Sequence, residues 1–193
     1  RFLRALLQPL RAYAGTPLQH LARRSGLTRL FGPEIEAMEQ LLPPLVPESF
    51  NDRLPQINPA SGQRRGRVAL LLGCVQRCFD PTVSTTTVKV LQANGFEVVI
   101  PPDQGCCGAV SHHQGELELP RDLATDLVRS MNGIQGELDA VLVAASGCGH
   151  TMKAYGELLN GDIQFRAPVL DVQEFLADRG LLETFRTQLQ PLP

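Results

Sequence analysis

The residues of this sequence that are best suited to chemistry are its five cysteines. Cys106 and Cys107 are adjacent, 31 residues separate Cys74 from this pair, and 40 residues separate the pair from Cys148. The fifth, Cys78, stands four positions after Cys74. Thiolate sulfur binds zinc, copper and iron–sulfur clusters, whereas a buried cysteine can be inert packing. An odd number of clustered cysteines favours metal or redox chemistry over a framework of structural disulfides.

Each main cysteine position follows a segment with the pattern of a buried strand, and helical patterns lie between these segments. The strand patterns are "RVALLLG", "FEVVIPP", "DAVLVAAS" and, further on, "APVLDV". The helical patterns cover residues 82–94 with Gly95 as the cap, 116–132, 150–159, and a last segment through Phe175 and Leu176. Alternating strands and helices predict an α/β fold, in which right-handed βαβ crossovers build a parallel sheet covered on both faces.

In such a fold the cysteines are expected to meet at one edge of the sheet. The carboxyl ends of parallel strands share an edge, and ligands usually bind there. Cys74, the Cys106–Cys107 pair and Cys148 each follow a predicted strand, so the topology itself would bring them together. Cysteines that serve only packing would be expected within strands and helices instead.

Glycines flank all of these cysteines. Glycine tolerates unusual backbone angles and lets peptide N–H groups approach a bulky ligand, and cluster sulfurs commonly accept such hydrogen bonds. The alternative is that they are ordinary glycines of βα loops. The candidate cofactor-binding glycines are Gly73, Gly105, Gly108 and Gly147, and Gly149 follows Cys148.

Three chemistries compete for the sulfurs. A four-thiolate iron–sulfur cluster needs about four cysteine ligands around a wide inorganic core, and Cys74, Cys106, Cys107 and Cys148 supply four. Structural zinc prefers two short Cys-x₂₋₄-Cys pairs, and only Cys74 and Cys78 have that spacing. A redox dithiol usually has C-x-x-C at a helix start, and this motif is absent from the sequence. The cluster fits best and zinc comes second.

Two segments precede the α/β region, which covers residues 67–193. Residues 1–42 predict short amphipathic helices, the first with its apolar residues at Phe2, Leu3, Leu6, Leu7 and Leu10. A later helix is predicted to begin at Pro33 and to pack on a neighbour through Ile35, Met38, Leu41 and Leu42. Residues 43–66 are rich in proline and predict an extended connector that could pack through Phe50, Leu54 and Ile57.

Composition excludes several classes of function. Hydrophobic residues make up 43% and charged residues 20% of the chain, as in an ordinary globular protein. The net charge of −2 and the absence of Trp give no reason to expect nucleic acid as a partner. No apolar run reaches the roughly 18–20 residues that span a bilayer. The chain opens on Arg, so a piece of a longer polypeptide is expected. The expected location is the cytoplasm.

The segments "GCVQRCFDP", "QGCCG" and "ASGCGHTMKAY" together resemble the cysteine-rich CCG domain, over about residues 67–178. This family occurs in heterodisulfide reductase and in the iron–sulfur subunits of lactate utilisation and anaerobic glycerol-3-phosphate dehydrogenase. It also occurs in the iron–sulfur subunit of glycolate oxidase, whose motifs are most similar. The resemblance implies a single Rossmann- or flavodoxin-like CCG domain that binds an iron–sulfur cluster, a [4Fe–4S] cluster in particular.

By this resemblance Cys74 is the first family cysteine, Cys106 and Cys107 are the central pair, and Cys148 is the last. The family pattern ends in Cys-x-x-Cys, and this chain has Ala145 in place of the other cysteine. Four family sulfurs therefore remain, which favours an ordinary four-ligand cluster, or a degenerate site, over a larger noncubane cluster. Cys78 lies outside the pattern and is predicted to be a packing residue.

The resemblance also implies partners. An FAD-bearing subunit would oxidise a 2-hydroxy acid, with glycolate the leading substrate, and this chain would pass the electrons on toward an acceptor such as a quinone. Relatives of this type carry a ferredoxin-like module and a second CCG repeat, which are expected elsewhere in the full chain. Association with the inner face of the membrane would be peripheral, through the complex.

Other polar residues near the cysteines have ordinary interpretations. His112 and His113 follow the central pair and are interpreted as solvated loop histidines that could reach the site. Lys153 and Tyr155 are interpreted as a solvated helix face.

Two alternatives to electron transfer stay open: a docking scaffold without a cluster, motivated by Ala145, and a reactive thiol at Cys107 or Cys148.

Overall fold

The computed structural model describes residue 5, residues 8–42, residue 45 and residues 54–186. The chain divides into two compact units. One comprises residues 1–53 together with Arg77–Pro81, and the other comprises Leu54–Gln76 and Thr82–Pro193. The predicted apolar positions Phe2, Leu3, Leu6, Leu7 and Phe50 lie outside the described residues, as does most of the predicted connector before residue 54.

The first unit is helical. Its helices are a 3₁₀ helix at Gln8–Ala12, α1 at Pro17–Ser25, a second 3₁₀ helix at Leu27–Phe31, and α2 at Pro33–Leu41. Proline opens both α-helices, where its missing N–H costs nothing, as predicted for Pro33. The two α-helices are tied together by Glu39, whose carboxylate accepts hydrogen bonds from Tyr13, Gln19 and Arg23 at 3.0–3.1 Å.

The prediction that α2 packs on a neighbour through its apolar face is wrong in one respect. Ile35, Met38 and Leu41 do share a side of the helix, but they are exposed, Met38 by 69% and Leu41 by 82%. No residue of α2 is buried. The described side-chain contacts that hold α2 to its unit include the hydrogen bonds to Glu39.

The second unit is built on a five-stranded sheet. The strands are β1 at Ile57–Asn58, β2 at Gly66–Leu71, β3 at Phe96–Val99, β4 at Ala140–Val143 and β5 at Val169–Asp171. Their order is β1-β3-β2-β4-β5. The strands β3, β2, β4 and β5 are mutually parallel, which confirms the predicted α/β class. The strand β1 pairs antiparallel to β3, and the sequence did not predict it because two residues carry no periodicity.

Helices cover both faces of this sheet. In chain order the helices after β2 are α3 at Gln76–Phe79, α4 at Pro81–Ala93, α5 at Ala109–His113, α6 at Glu118–Asn132, α7 at Ser146–Lys153, α8 at Tyr155–Leu158, α9 at Val172–Arg179 and α10 at Glu183–Arg186. Most of α3 belongs to the first unit. Alternate residues of the strands belong to two hydrophobic cores, one on each face of the sheet. Leu71 and Val143 pack with residues of α6, α7 and α8, while Leu70 and Leu142 pack on the other face with residues of α4 and α9.

The predicted helix over residues 150–159 is partly wrong. A helix already begins at Ser146, and Ala154 separates α7 from α8. Cys148 therefore lies in the first turn of α7 and not in the loop before it. Among the described residues, no helix combines the length and the apolar character that crossing a bilayer requires.

Candidate metal centre

The first cysteine is placed by the end of β2. Gly73 has φ +66°, a left-handed backbone angle that turns the chain sharply after the strand and that other residues rarely adopt. Cys74 follows, half-buried. Its Sγ lies 3.2 Å from Sγ of Cys106.

The adjacent pair lies in the segment between β3 and α5. Cys106 is half-buried, Cys107 is buried, and the two thiols are near enough for each to shift the pKa of the other. The Gly108 N–H points at Cys106 Sγ, at 3.4 Å. Gly108 has φ +77°, and a Cβ on it would lie 3.1 Å from Pro120 Cα, so both its conformation and its neighbour require glycine.

The last cysteine comes from α7. Cys148 is half-buried, and its thiol is near enough to that of Cys107 for each to shift the pKa of the other. Gly149 lets the helix lie close to β4, because a Cβ on it would stand only 2.8 Å from Val143 Cγ2. The structure thus brings all four predicted sulfurs close to one another: Cys74 lies beside Cys106, and Cys107 lies near both Cys106 and Cys148. We call these four thiols the thiol row.

The thiols of the row shift one another's pKa values. Hydrogen bonds from Cys107 and Cys74 lower the pKa of Cys106 against the opposing effect of burial, and the Gly108 N–H lowers it further. Contact with Cys107 lowers the pKa of Cys148. The pKa values of Cys74 and Cys107 are raised, first by hydrogen bonding to these neighbours and then by burial. The thiolate form, which is the metal-binding form, is therefore favoured at Cys106 and Cys148.

Two of the predicted glycines face open space. A Cβ on Gly105 or Gly147 would meet no atom within 4 Å, and both residues are exposed. The predicted glycines therefore fall into two groups: Gly73 and Gly108 shape the backbone, while Gly105 and Gly147 are unobstructed. That these glycines also bind a cofactor through their N–H groups stays a prediction. Of the four glycines, Gly108 has a described N–H contact with a sulfur.

The described thiols are not arranged around a single metal ion. Across the described residues, no three side chains of His, Cys, Asp or Glu are positioned to share one metal ion. A tetrahedral zinc ion needs its four ligands at about 2.0–2.3 Å from a single point. An iron–sulfur cluster takes one thiolate on each of several irons.

The residues around the row differ in how well they were predicted. Cys78 lies on α3 with 1% exposure, in agreement with a packing role. Lys153 is exposed and pairs with Glu174 at 2.6 Å, as expected of a solvated face. Tyr155, interpreted in the same way, is buried at 2% exposure. The break in the helix at Ala154 explains the difference, because it separates Tyr155 from the face of α7.

Three of the four histidines form a cluster of their own. His112 and His113 lie on the short helix α5, which the sequence did not predict. Their ring centroids are 5.9 Å apart, and the ring of His113 stacks on that of His150 at 6.3 Å. Nδ1 of His112 is buried and has no hydrogen-bond partner among the described residues.

Sequence reasoning missed two residues that touch the cysteine segments. Gln104 is buried, its Oε1 accepts a hydrogen bond from the Leu72 N–H at 2.8 Å, and its Nε2 donates to the Leu70 carbonyl at 3.3 Å. The Tyr155 hydroxyl donates to the carbonyl oxygen of Cys107 at 2.7 Å. Burial, followed by the charges of the neighbouring cysteines, raises the pKa of Tyr155, so this hydroxyl keeps its proton and remains a donor.

Comparison with known proteins places the thiol row in a family. Residues 68–153 match the model of the cysteine-rich CCG domain. These residues belong to the CCG family. The match contains the whole thiol row and confirms the resemblance drawn from the cysteine motifs. Residues 1–42, which include the helices α1 and α2, match the linker region of the glycolate oxidase iron–sulfur subunit.

Relatives of this CCG domain include proteins from bacteria and archaea. The chain is 31% identical over 160 residues to the probable glycolate oxidase iron–sulfur subunit of Bacillus subtilis, covering 83% of this chain and 36% of the relative. It is also 31% identical over 160 residues to the glycolate oxidase iron–sulfur subunit of Escherichia coli, covering 77% and 37%. A subunit of the fumarate reductase (CoM/CoB) of Methanothermobacter marburgensis is 36% identical over 123 residues, covering 61% and 23%.

The chain therefore spans little more than a third of the length of the glycolate oxidase subunits that it matches. No solved structure matches it significantly.

Within the CCG domain, Ala145 caps the start of α7 without a side-chain hydrogen bond. The position at which the family motif has a further cysteine is thus adjacent to the helix that carries Cys148.

Proposed function

We propose that the chain is part of an iron–sulfur subunit that transfers electrons within a complex oxidising 2-hydroxy acids, with glycolate as the leading substrate. The observation that carries this proposal is the thiol row, which lies in a CCG domain whose relatives are named iron–sulfur subunits. The match of residues 1–42 to the linker of the glycolate oxidase subunit supports the same assignment from a separate part of the chain.

The proposed ligands of a [4Fe–4S] cluster are Cys74, Cys106, Cys107 and Cys148. Their contacts, the lowered pKa of two of them and the open space at Gly105 and Gly147 support a fit between this donor set and such a cluster. When bound, a cluster of this kind accepts and releases single electrons at a potential set by its surroundings.

The chain's own residues would set those surroundings. The Gly108 N–H is placed to donate to Cys106 Sγ and so to stabilise negative charge on the sulfur. Cys107 is buried, while Cys74, Cys106 and Cys148 are half-buried and so partly accessible. This combination suits exchange of electrons with a partner that docks at the carboxyl edge of the sheet.

The remaining parts of the proposed complex lie outside this chain. An FAD-bearing subunit would oxidise the hydroxy acid and deliver the electrons, and a quinone is the proposed class of acceptor. A ferredoxin-like module and a second CCG repeat would belong to the rest of the subunit. The proposed location is the cytoplasm, with peripheral attachment to the membrane through the complex.

The test is anaerobic purification of the full-length subunit, followed by iron and sulfide analysis and EPR spectroscopy. We expect about four irons and four sulfides for the proposed site, in addition to those of the ferredoxin-like module. Cys106→Ser should remove the contribution of this site, and Cys78→Ser, at a cysteine outside the row, should retain it. Zinc in stoichiometric amount with no sulfide at this site would contradict the proposal and favour a zinc-stabilised domain.

A docking scaffold without a cluster is the second candidate, and Ala145 is the observation that favours it, because the family motif has a further cysteine there. The complete complex distinguishes the two. If the domain carries electrons, Cys106→Ser abolishes substrate-dependent reduction of the acceptor while the subunits remain assembled. An unchanged rate would establish the scaffold.

A further inference from the structure

We propose that Gln104 and Tyr155 are positioning residues that hold the three cysteine-bearing segments together: Gln104 fixes Cys106 against Cys74, and Tyr155 fixes Cys107 against Cys148. The inference rests on the proposed function for its purpose, since it concerns the same site. The geometry that it explains can nevertheless be measured on the thiols alone.

Gln104 joins the segment before the cysteine pair to the end of β2. Its Oε1 accepts from the Leu72 N–H at 2.8 Å, and its Nε2 donates to the Leu70 carbonyl at 3.3 Å. The same Nε2 also donates to the Pro101 carbonyl at 3.2 Å, within its own segment. One buried amide thus contacts three backbone groups. The Pro101 carbonyl also accepts from the Gln104 backbone N–H, whereas removing the amide would cost the Leu72 N–H and the Leu70 carbonyl this partner.

The positions along the chain show what this amide controls. Leu72 stands two residues before Cys74, and Gln104 stands two residues before Cys106. The hydrogen bond between Leu72 and Gln104 therefore fixes the starting points of both segments, which then bring the two sulfurs to 3.2 Å.

Tyr155 plays the corresponding part for the other pair. Its hydroxyl donates to the Cys107 carbonyl at 2.7 Å, and its ring stacks on Phe165 with centroids 5.6 Å apart. Tyr155 opens α8, seven residues after Cys148. The hydroxyl therefore ties the backbone of one sulfur-bearing residue to the short helix that continues from the other.

The variants separate the individual hydrogen bonds. Gln104→Leu removes all three amide contacts, and Gln104→Glu retains an acceptor for the Leu72 N–H but no donor. Tyr155→Phe removes only the hydroxyl and keeps the stacked ring. Asn58→Leu is the matched control, because Asn58 is also a buried amide that donates to backbone carbonyls, those of Pro55 and Val98, on a strand without cysteine.

The measurement is the rate of disulfide formation in the metal-free chain exposed to oxidised glutathione. Each new disulfide takes two thiols and converts one glutathione disulfide to two glutathione molecules, and peptide mapping identifies the linked cysteines. We expect Gln104→Leu to slow the Cys74–Cys106 link at least about tenfold, since small misplacement of reacting groups has large effects on rate. Gln104→Glu should have a smaller effect.

Tyr155→Phe should slow the Cys107–Cys148 link and leave the Cys74–Cys106 link at its original rate. Asn58→Leu should leave both rates unchanged even where it lowers the urea midpoint. The proposal is overturned if the Gln104 and Tyr155 variants react as the original chain does, or if the Asn58 control slows both links equally, because general loss of stability would then explain the effect.

A second measurement uses the anaerobically reconstituted full-length subunit. Gln104→Glu and Tyr155→Phe should retain iron but shift the midpoint potential and broaden the EPR signal of the site. A wild-type subunit that binds no iron here would defeat the proposed function, while the disulfide rates would still decide whether the two residues position the thiols.

Discussion

The sulfur atoms of Cys74 and Cys106 lie 3.2 Å apart although 31 residues separate them in the sequence. Between them the chain leaves β2, forms α4 and returns through the neighbouring parallel strand β3. The contact is therefore a product of the βαβ crossover, which returns the chain to the same edge of the sheet. A metal centre assembled in this way depends on the fold as a whole.

Two serine substitutions should separate the role of the thiol row from that of packing. Cys148→Ser should leave the fold intact and abolish most iron binding at the site, because it removes one sulfur of the row. Cys78→Ser should retain iron but lower the free energy of unfolding by about 1–3 kcal/mol, because it buries a hydroxyl. Iron analysis and urea denaturation measure the two effects. Equal loss of iron in both variants would contradict the assignment of Cys78.

Two neighbouring glycines of α7 should respond in opposite ways to alanine. Gly149→Ala places a Cβ 2.8 Å from Val143 Cγ2 and should destabilise the metal-free chain by about 1–3 kcal/mol. Gly147→Ala meets no atom within 4 Å and should stabilise it by about 0.5–1 kcal/mol, because alanine favours a helix. Urea denaturation gives both values.

The same Gly147→Ala chain should bind less iron than the original, if the open space at Gly147 receives a cluster. Undiminished iron in that variant would show that the space at Gly147 is not needed.

Glu39 should make the stability of the helical unit depend on pH. Burial alone would raise the pKa of this carboxyl, but hydrogen bonds from Gln19, Arg23 and Tyr13 outweigh it and hold the pKa below its ordinary value. Its contribution is then fully present above the unfolded value of about 4.3 and is lost as the pH falls through the lower, folded value.

Glu39→Gln should therefore destabilise α1 and α2 by on the order of 1 kcal/mol at pH 7 and by much less at pH 3. Hydrogen exchange of the amides in these helices, extrapolated from several pH values, measures the difference. Glu36→Gln is the matched control on the same helix, since Glu36 pairs with the exposed Arg29 and should have a smaller effect. A pH-independent effect of Glu39→Gln would show that the charge is not responsible.

The capping box at the start of α9 should contribute measurably to stability. Asp171 accepts from the Gln173 N–H at 2.7 Å, and Glu174 accepts from the Asp171 N–H at 2.9 Å. Asp171→Ala should lower the free energy of unfolding by about 1 kcal/mol. Asp178→Ala, on the exposed last turn of the same helix, should lower it by less than about 0.5 kcal/mol. Urea denaturation tests the pair, and equal costs would mean that the cap is ineffective.

Local patterns predicted most of the sheet and its helices. The apolar runs before Gly73 and Ala144 are long enough to be recognised as buried strands, and Gly95 with φ +84° ends α4 as predicted. The two-residue strand β1 and the five-residue helix α5 were missed, because so short a segment shows neither a period of two nor one of 3.6. The start of α7 was predicted too late, because two glycines in its first turns disfavour a helix locally and close packing on Val143 outweighs them.

The sequence by itself determined which residues stand after the strands: the four cysteines, the glycines beside them, and the motifs by which the CCG domain was identified. The tertiary structure alone decided that these sulfurs lie close to one another, that Gln104 and Tyr155 contact the segments that carry them, and that the face of α2 is exposed. The physical reason is that strand order and helix pattern are local properties of a chain. Contacts of a buried amide or hydroxyl instead join segments that are tens of residues apart, and no spacing in the sequence records them.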